Sequence, residues 1–400
     1  MATHTEHGAY PSPELVACPY PFLDAVRSEQ PVYRVPGRDE FLVTRHEDIV
    51  YVAKHPELFS SDVEARLQME RKTAPGLGKT DPPEHKRRRE LPGRLFSPGR
   101  LRGFEPRVVE LADGLIDTFP ERGPVDFVTA FADLFPMEVV VDLLGLPVEH
   151  IDRYLEWATI EGMGIKYYPP ERQEAGRRKQ HALNEYMRAT VIEFAEQPRP
   201  GALSELIQAQ IERDGSLDVD VAVSDGGILL VGGSVTTSHL IASAMLLLLR
   251  SPEQLDRLRA EPGRIPAFVE ESLRCESPVQ WQPRVAKVDT ELGGVQIPAG
   301  SPVLMVLASG NRDEDVFADA ERFDIDRANA RDHLAFSHGL HFCLGAPLAR
   351  LEGRVAFERL LARLEGLRLP ADLSDPAPID NVTFRGPAEL PIEYDRILPA

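Results

Sequence analysis

The sequence predicts a mainly α protein with a small β region, and three observations carry that reading. Apolar positions recur at helical intervals between Val108 and Leu144 and in two segments of the block from Ile151 to Glu196. The run from Val221 to Leu249 is apolar nearly all round, which fits a helix passing through the middle of a protein. Short alternating stretches read as strands: VYRV and FLVTR form a small sheet near the start that precedes the helices, and later VQWQPRVA, LGGVQIPAG and SPVLMVLASGNRD alternate and turn like a small antiparallel sheet with a hairpin. A chain of 400 residues with 42% hydrophobic and 27% charged content can bury a large core, and its length fits two or three ordinary domains or one large one.

The formal net charge of -19 excludes broad nucleic-acid binding and favours solubility, so any protein partner must dock on a local patch. Three cysteines make no disulfide framework, and MATHTEHGAYPSPE lacks the basic-then-apolar layout of a leader; a reducing cytoplasm is the expected location. The stretch Ile228 to Leu249 is long enough to raise the question of a membrane span. It contains Gly232, Gly233, Ser234, Thr236, Thr237, Ser238 and His239 and has no basic flank, so it reads as a helix buried in protein.

In chain order, the turn signals PSPE and CPYP precede the first strands, and Glu47 to Lys54 is helical. Phe59 to Thr80 has no clear period and is long enough to be a functional loop. In DPPEHKRRRE, His85 and Arg89 stand four apart on one side of a helix, with Lys86, Arg87 and Arg88 around the rest; by composition alone this is a solvated basic face. The tyrosines of the turn Tyr167 to Pro170 read equally as surface aromatics or as part of a lid. Glycines such as Gly232 and Gly233 in a buried helix mark close packing, and a threonine such as Thr236 often bonds back to its own helix. After Pro266, AFVEESLRCESPVQ is helical and sets Glu271 and Arg274 three apart, a pair worth about 0.3–0.5 kcal/mol if exposed. NVTFRGPAELPIEY reads as a last turn and strand.

The most informative stretch is FSHGLHFCLGAPLAR, Phe336 to Arg350. Pro347 suits the first turn of a helix whose apolar face runs through Leu348, Leu351, Val355, Ala356, Leu360 and Leu364. Cys343 therefore precedes a helix N-terminus, where free N–H groups and the dipole favour the thiolate, the metal-binding form. Gly339 and Gly345 let the backbone fold tightly around the sulfur, and Phe336 is placed to shield it. Cys18 and Cys275 lack this setting and read as small buried hydrophobes.

The pattern Phe336, Gly339, His341, Cys343, Gly345 resembles the haem-binding loop of the cytochrome P450 family, in which the cysteine thiolate is the axial iron ligand. With HxxxR, GGxxTT and ExxR in order, the resemblance covers nearly the whole chain and implies that family's fold, with a long central helix over a buried haem b. It implies that His85, Arg89, Arg284 and His341 contact the haem propionates. Lys86, Arg87 and Arg88 would then face the electron donor. Gly232 and Gly233 would line an oxygen groove, and Thr236 would hold the activated oxygen. Glu271, Arg274 and Arg327 would brace the cysteine loop structurally, and Val279, Gln280, Trp281, Val382, Thr383 and Phe384 would line the substrate pocket. This chain departs from the pattern at Val235, where an Asp or Glu usually stands; water held by Ser234, Thr236 and Thr237 is expected to deliver protons instead, with a polar group of the substrate or a different oxygen-activation route as the alternatives.

The resemblance implies a monomeric bacterial monooxygenase that takes electrons from a ferredoxin and its reductase. It would insert one oxygen atom from O2 into a hydrophobic small molecule by hydroxylation or epoxidation, in secondary metabolism or catabolism. A haem-thiolate enzyme performing oxidative coupling or peroxide-driven oxidation is the first alternative. A haem-based sensor or binding protein is the second; it predicts an output or DNA-binding segment, which the sequence does not display.

Overall fold

The computed structural model describes residues 11–68, 74–158, 168–373 and 375–400. The N-terminal ten residues, Tyr167 of the expected lid turn, and part of the aperiodic loop before Thr80 lie outside them. The chain folds around one helix, Val219–Leu249, capped by the Asp218 carboxylate, which accepts from the Val221 N–H at 3.1 Å. By length and composition it is apolar enough to cross a membrane, but it packs as a core helix against Leu134–Leu144, Pro170–Glu196, Ile265–Cys275 and Ala346–Arg363. Glycines set how closely these helices approach. A Cβ at Gly226 would lie 2.9 Å from Met187 Cε, and one at Gly233 would lie 2.8 Å from Val140 Cγ2.

The expected helical stretch from Val108 to Leu144 is two helices, Pro98–Asp117 and Leu134–Leu144, separated by the short strand Val125–Asp126. Pro120, Gly123 and Pro124 stop the first helix from continuing, since a proline supplies no backbone donor. The sheet follows its alternation: strands run in the order Val32–Arg34, Phe41–Val43, Pro302–Met305, Gln282–Ala286, Phe59–Ser60. Phe41–Val43 pairs in parallel with Pro302–Met305, and the other neighbours are antiparallel. LGGVQIPAG forms the expected separate hairpin, with Gly293 at φ +56° and Gly294 at φ +78°, the left-handed pair that a tight hairpin turn requires. One apolar core fills the helical part, a second lies between the sheet and helix His46–Lys54, and a third holds Leu23, Val26, Tyr33 and Trp281 on the sheet's other side.

Candidate functional site

The cysteine loop is held by backbone bonds and one obligatory glycine. Cys343 N–H donates to Phe336 O at 2.8 Å and Phe342 N–H to Gly339 O at 3.1 Å. Gly339 sits at φ +68°, where a Cβ would be 2.6 Å from Ala53 O, so no other residue fits there. Gly345 differs from expectation: as the cap of helix Ala346–Arg363 it has an ordinary φ of −81°, and the nearest atom to an added Cβ is Cys343 Sγ, at 4.0 Å. Phe336 is buried under the Arg350 guanidinium, 4.7 Å from its ring. Arg350 is clamped by Glu270, with Nε–Oε1 at 2.6 Å and Nη2–Oε2 at 3.0 Å, and His333 Nε2 also reaches Glu270 Oε2, at 3.1 Å. Burial alone would raise the Glu270 carboxyl, but the His333 and Arg350 bonds bring it to about 2. Glu270 escaped the sequence reading because its neighbour Glu271 carries the recognisable spacing.

Cys343 is exposed although protein surrounds it, and burial of the thiolate raises its pKa. The Gly345 and Ala346 N–H groups oppose that shift, as a helix start should, without overcoming it. The loop by itself therefore favours the thiol, against the thiolate expected from the helix start alone.

Helix Glu84–Leu95, strand Gln282–Ala286 and the cysteine loop itself each bring buried nitrogen groups that lack a partner. His85, from helix Glu84–Leu95, and His341 lie with ring centroids 4.2 Å apart. Among the described residues, neither nitrogen of His85, nor His341 Nε2, nor Arg284 Nη2 has a hydrogen-bond partner. Burial, then the neighbouring arginines, push the His85 pKa down to about 4; burial, Arg284, His85 and Arg89 push His341 to about 3. Burial lowers even the Arg284 guanidinium to about 10. Arg89 donates to Leu340 O at 3.3 Å and Phe342 O at 2.5 Å, so it ties the basic helix to the cysteine loop. Buried donors without partners are costly, and like charges brought together are more so. A planar cofactor with an anionic edge and a metal beside Cys343 fits this arrangement.

On the central helix the hydroxyls divide. Thr236 is half-buried and donates to Gly232 O at 2.7 Å. Ser234 and Thr237 are buried and likewise donate back to their own helix, to Leu230 O at 2.8 Å and Gly233 O at 3.0 Å. Gly233 faces Val140, as its 2.8 Å approach requires, whereas a Cβ at Gly232 would meet only Ile228 of its own helix. The open side of the helix thus holds Gly232, Val235 and Thr236.

The Glu271–Arg274 pair is wholly buried rather than exposed. Arg274 reaches both carboxylate oxygens at 2.8 Å, and Arg327 Nε reaches Oε1 at 3.1 Å. The two arginines also donate to the carbonyls of Asn311, Ala318, Asp319, Ala320 and Arg322. The triad therefore fastens helix Ile265–Cys275 to the 311–327 segment; the direct brace of the cysteine loop is Glu270 with Arg350.

Two further expectations change. Arg88 points inward, pairing with Asp225 of the central helix at 2.5 Å, which leaves Lys86 and Arg87 outward, Arg87 shared with Asp214 at 2.9 Å. A run of basic residues carries no helical phase of its own; burial of position 88 against Asp225 sets it. Trp281 donates from Nε1 to Val382 O at 2.8 Å, and both pack into the core with Leu23 and Tyr33. Val279 packs on the sheet core and bridges to Phe384, while Gln280 N–H donates to Thr383 O at 2.7 Å. Thr383 and Phe384 remain beside the central helix, Phe384 with its ring 6.2 Å from that of His239.

Residues 158–383 match the family model described as Cytochrome P450. The chain is 36% identical to the vitamin D(3) 25-hydroxylase of Pseudonocardia autotrophica, over 94% of this chain and 93% of that protein. It superposes on CYP109E1 of Bacillus megaterium in complex with testosterone with a TM-score of 0.88, at 28% identity over 96% and 99% of the two chains. For CxnD, a cytochrome P450 enzyme for C–S bond formation in chuangxinmycin biosynthesis, the TM-score is 0.89, at 33% identity over 99% and 98%. With the cysteine loop, the donor cluster and these likenesses together, the chain belongs to the cytochrome P450 family, oxidoreductases whose cofactor is haem b bound through a cysteine thiolate.

Proposed function

We propose that the chain is a single-domain, cytoplasmic, monomeric monooxygenase that oxidises a hydrophobic small molecule by hydroxylation or epoxidation, with electrons from a ferredoxin and its reductase. The observation that carries the reading is the set of unpartnered buried donors at His85, Arg284 and His341 beside an exposed cysteine. On this reading Cys343 is the iron ligand. Bound haem supplies the redox chemistry, by which O2, two electrons and two protons yield one inserted oxygen atom and one water.

The chain's own residues hold and orient. Arg284, His85 and His341 donate to the propionates, and Arg89 fixes the loop carbonyls so that Cys343 stays aligned. Thr236 is the one hydroxyl on the open face of the central helix, and Gly232 leaves the space beside it clear. Helix Glu84–Leu95 offers an acidic donor the exposed side chains of Lys86, Arg87 and Arg94, while Arg88 is turned inward to Asp225. Coupling chemistry remains a second reading, favoured by the likeness to CxnD. Turnover of a substrate by purified protein with NADPH, ferredoxin and reductase, with oxygen from labelled O2 found in the product, tests the monooxygenase; product without labelled oxygen supports coupling.

Two expected results arise here. Arg284→Ala is expected to release haem about ten- to a hundredfold faster, since a hydrogen bond to a charged group contributes about 1.5–3 kcal/mol; unchanged transfer of haem to apomyoglobin counts against its role. Thr236→Ala is expected to divert reducing equivalents into hydrogen peroxide, so that product formed per NADPH falls while NADPH oxidation persists. Undiminished coupling in that variant removes Thr236 from proton handling.

A further inference from the structure

His239 lies one turn beyond Thr236 on the central helix and has no part in the machinery described so far. It is 8% exposed, and its Nε2 has no hydrogen-bond partner among the described residues. Thr383, in the turn that faces it, is 5% exposed, and its Oγ1 is likewise without a partner. The imidazole is held on its other edge: a Cβ at Gly386 would meet Nδ1 at 2.9 Å and Cγ at 3.2 Å, and the Phe384 ring stands 6.2 Å away. A ring so enclosed has few alternative rotamers, which pre-organises its free nitrogen.

Helical geometry says where that nitrogen lies. His239 follows Thr236 by three and Val235 by four, so the three residues are surface neighbours. Helical side chains tilt toward the N-terminus, so the His239 ring covers the turn that holds Val235 and Thr236. The half-buried row Gly232, Val235, Thr236 is the open side of the helix, and His239 closes its end. Burial lowers the His239 pKa to about 4, leaving it neutral at pH 7, where an imidazole offers one donor and one acceptor. A neutral ring has no preference for a carboxylate, and it pairs well with a hydroxyl or carbonyl. A polar group buried without a partner costs free energy that a ligand oxygen can recover.

We infer that His239 Nε2, together with the Thr383 hydroxyl, anchors a hydroxyl or carbonyl oxygen of an otherwise apolar, uncharged ring-system substrate. His239 is then a specificity-determining residue. The inference rests on the monooxygenase reading above and narrows its substrate class to neutral oxygenated hydrocarbons.

The test is optical titration of the haem-loaded protein with testosterone and with androstane, the same ring system without oxygen. Wild-type protein is expected to bind testosterone at least tenfold more tightly. His239→Phe, which keeps a ring and removes the nitrogens, should collapse that ratio toward one without weakening androstane, and His239→Gln should restore part of it. Should His239→Phe fail to retain haem, Thr383→Val carries the same comparison from the other side. A wild-type ratio near one, a failure of both steroids to shift the spectrum, or a ratio unchanged in His239→Phe and Thr383→Val overturns the inference. The ferrous CO spectrum separates the two levels: its thiolate band must be present in wild type for the family chemistry to stand, and with the band intact an unchanged ratio sinks the anchor alone.

Discussion

Cys343→Ala is expected to abolish the long-wavelength Soret band of the ferrous CO complex and to reduce turnover to background. The sulfur is the one soft donor beside the buried cationic cluster, and the fold spends a left-handed glycine and an arginine clamp on placing it. Alanine removes the ligand and leaves the loop's backbone bonds intact, so the variant should fold with its far-UV spectrum unchanged. Cys343→His separates ligand loss from cavity loss: it can hold iron through nitrogen but cannot give the thiolate band. A normal band in the alanine variant would mean that another residue ligates the iron.

The second large effect is at Arg274. Arg274 and Glu271 are both 0% exposed on their side chains, and Arg327 shares the same carboxylate. Removing Arg274 leaves Arg327 as the one cation on the buried carboxylate and leaves the Asn311 and Ala320 carbonyls without this donor, a loss of the order of a broken buried pair, about 3–5 kcal/mol, a large part of a typical folding stability of about 5–15 kcal/mol. Arg274→Ala is therefore expected to shift the denaturation midpoint strongly or to prevent soluble expression. Lysine should not rescue it, because one ammonium cannot reproduce the bidentate bonds and the carbonyl contacts of a guanidinium. A loss below about 1 kcal/mol would place the pair in the class of exposed salt bridges.

Much of this site was legible in the sequence where its chemistry is local. The cysteine loop, the His85–Arg89 spacing, the central helix and the ExxR pair each declare themselves within a few residues, because helical period and turn chemistry fix which side chains share a face. What was not legible depends on partners distant in sequence. Arg88 looks like its neighbours until Asp225 is brought against it. Glu270 looks like a surface residue until Arg350 and His333 converge on it. The hydroxyls of Ser234, Thr236 and Thr237 sit within four positions, yet three residues of one helix point in different directions, and only packing against Val140 decides which side is closed. The Trp281–Val382 bond joins residues 101 apart in sequence, which no local pattern announces.

The seat of the cysteine loop bears on the order in which the protein can be made. Gly339 fits only beneath the carbonyl of Ala53, in a helix formed near the start of the chain, and the donors around the sulfur come from Glu84–Leu95, Gln282–Ala286 and the loop itself. No fragment short of these segments contains the site, and closing such distant contacts is the slow part of folding. During synthesis the N-terminal elements must wait for a loop that emerges only after more than three hundred residues. Haem uptake is thus a report on the completion of the whole fold, and a chain that has taken up its cofactor has passed its own assembly check.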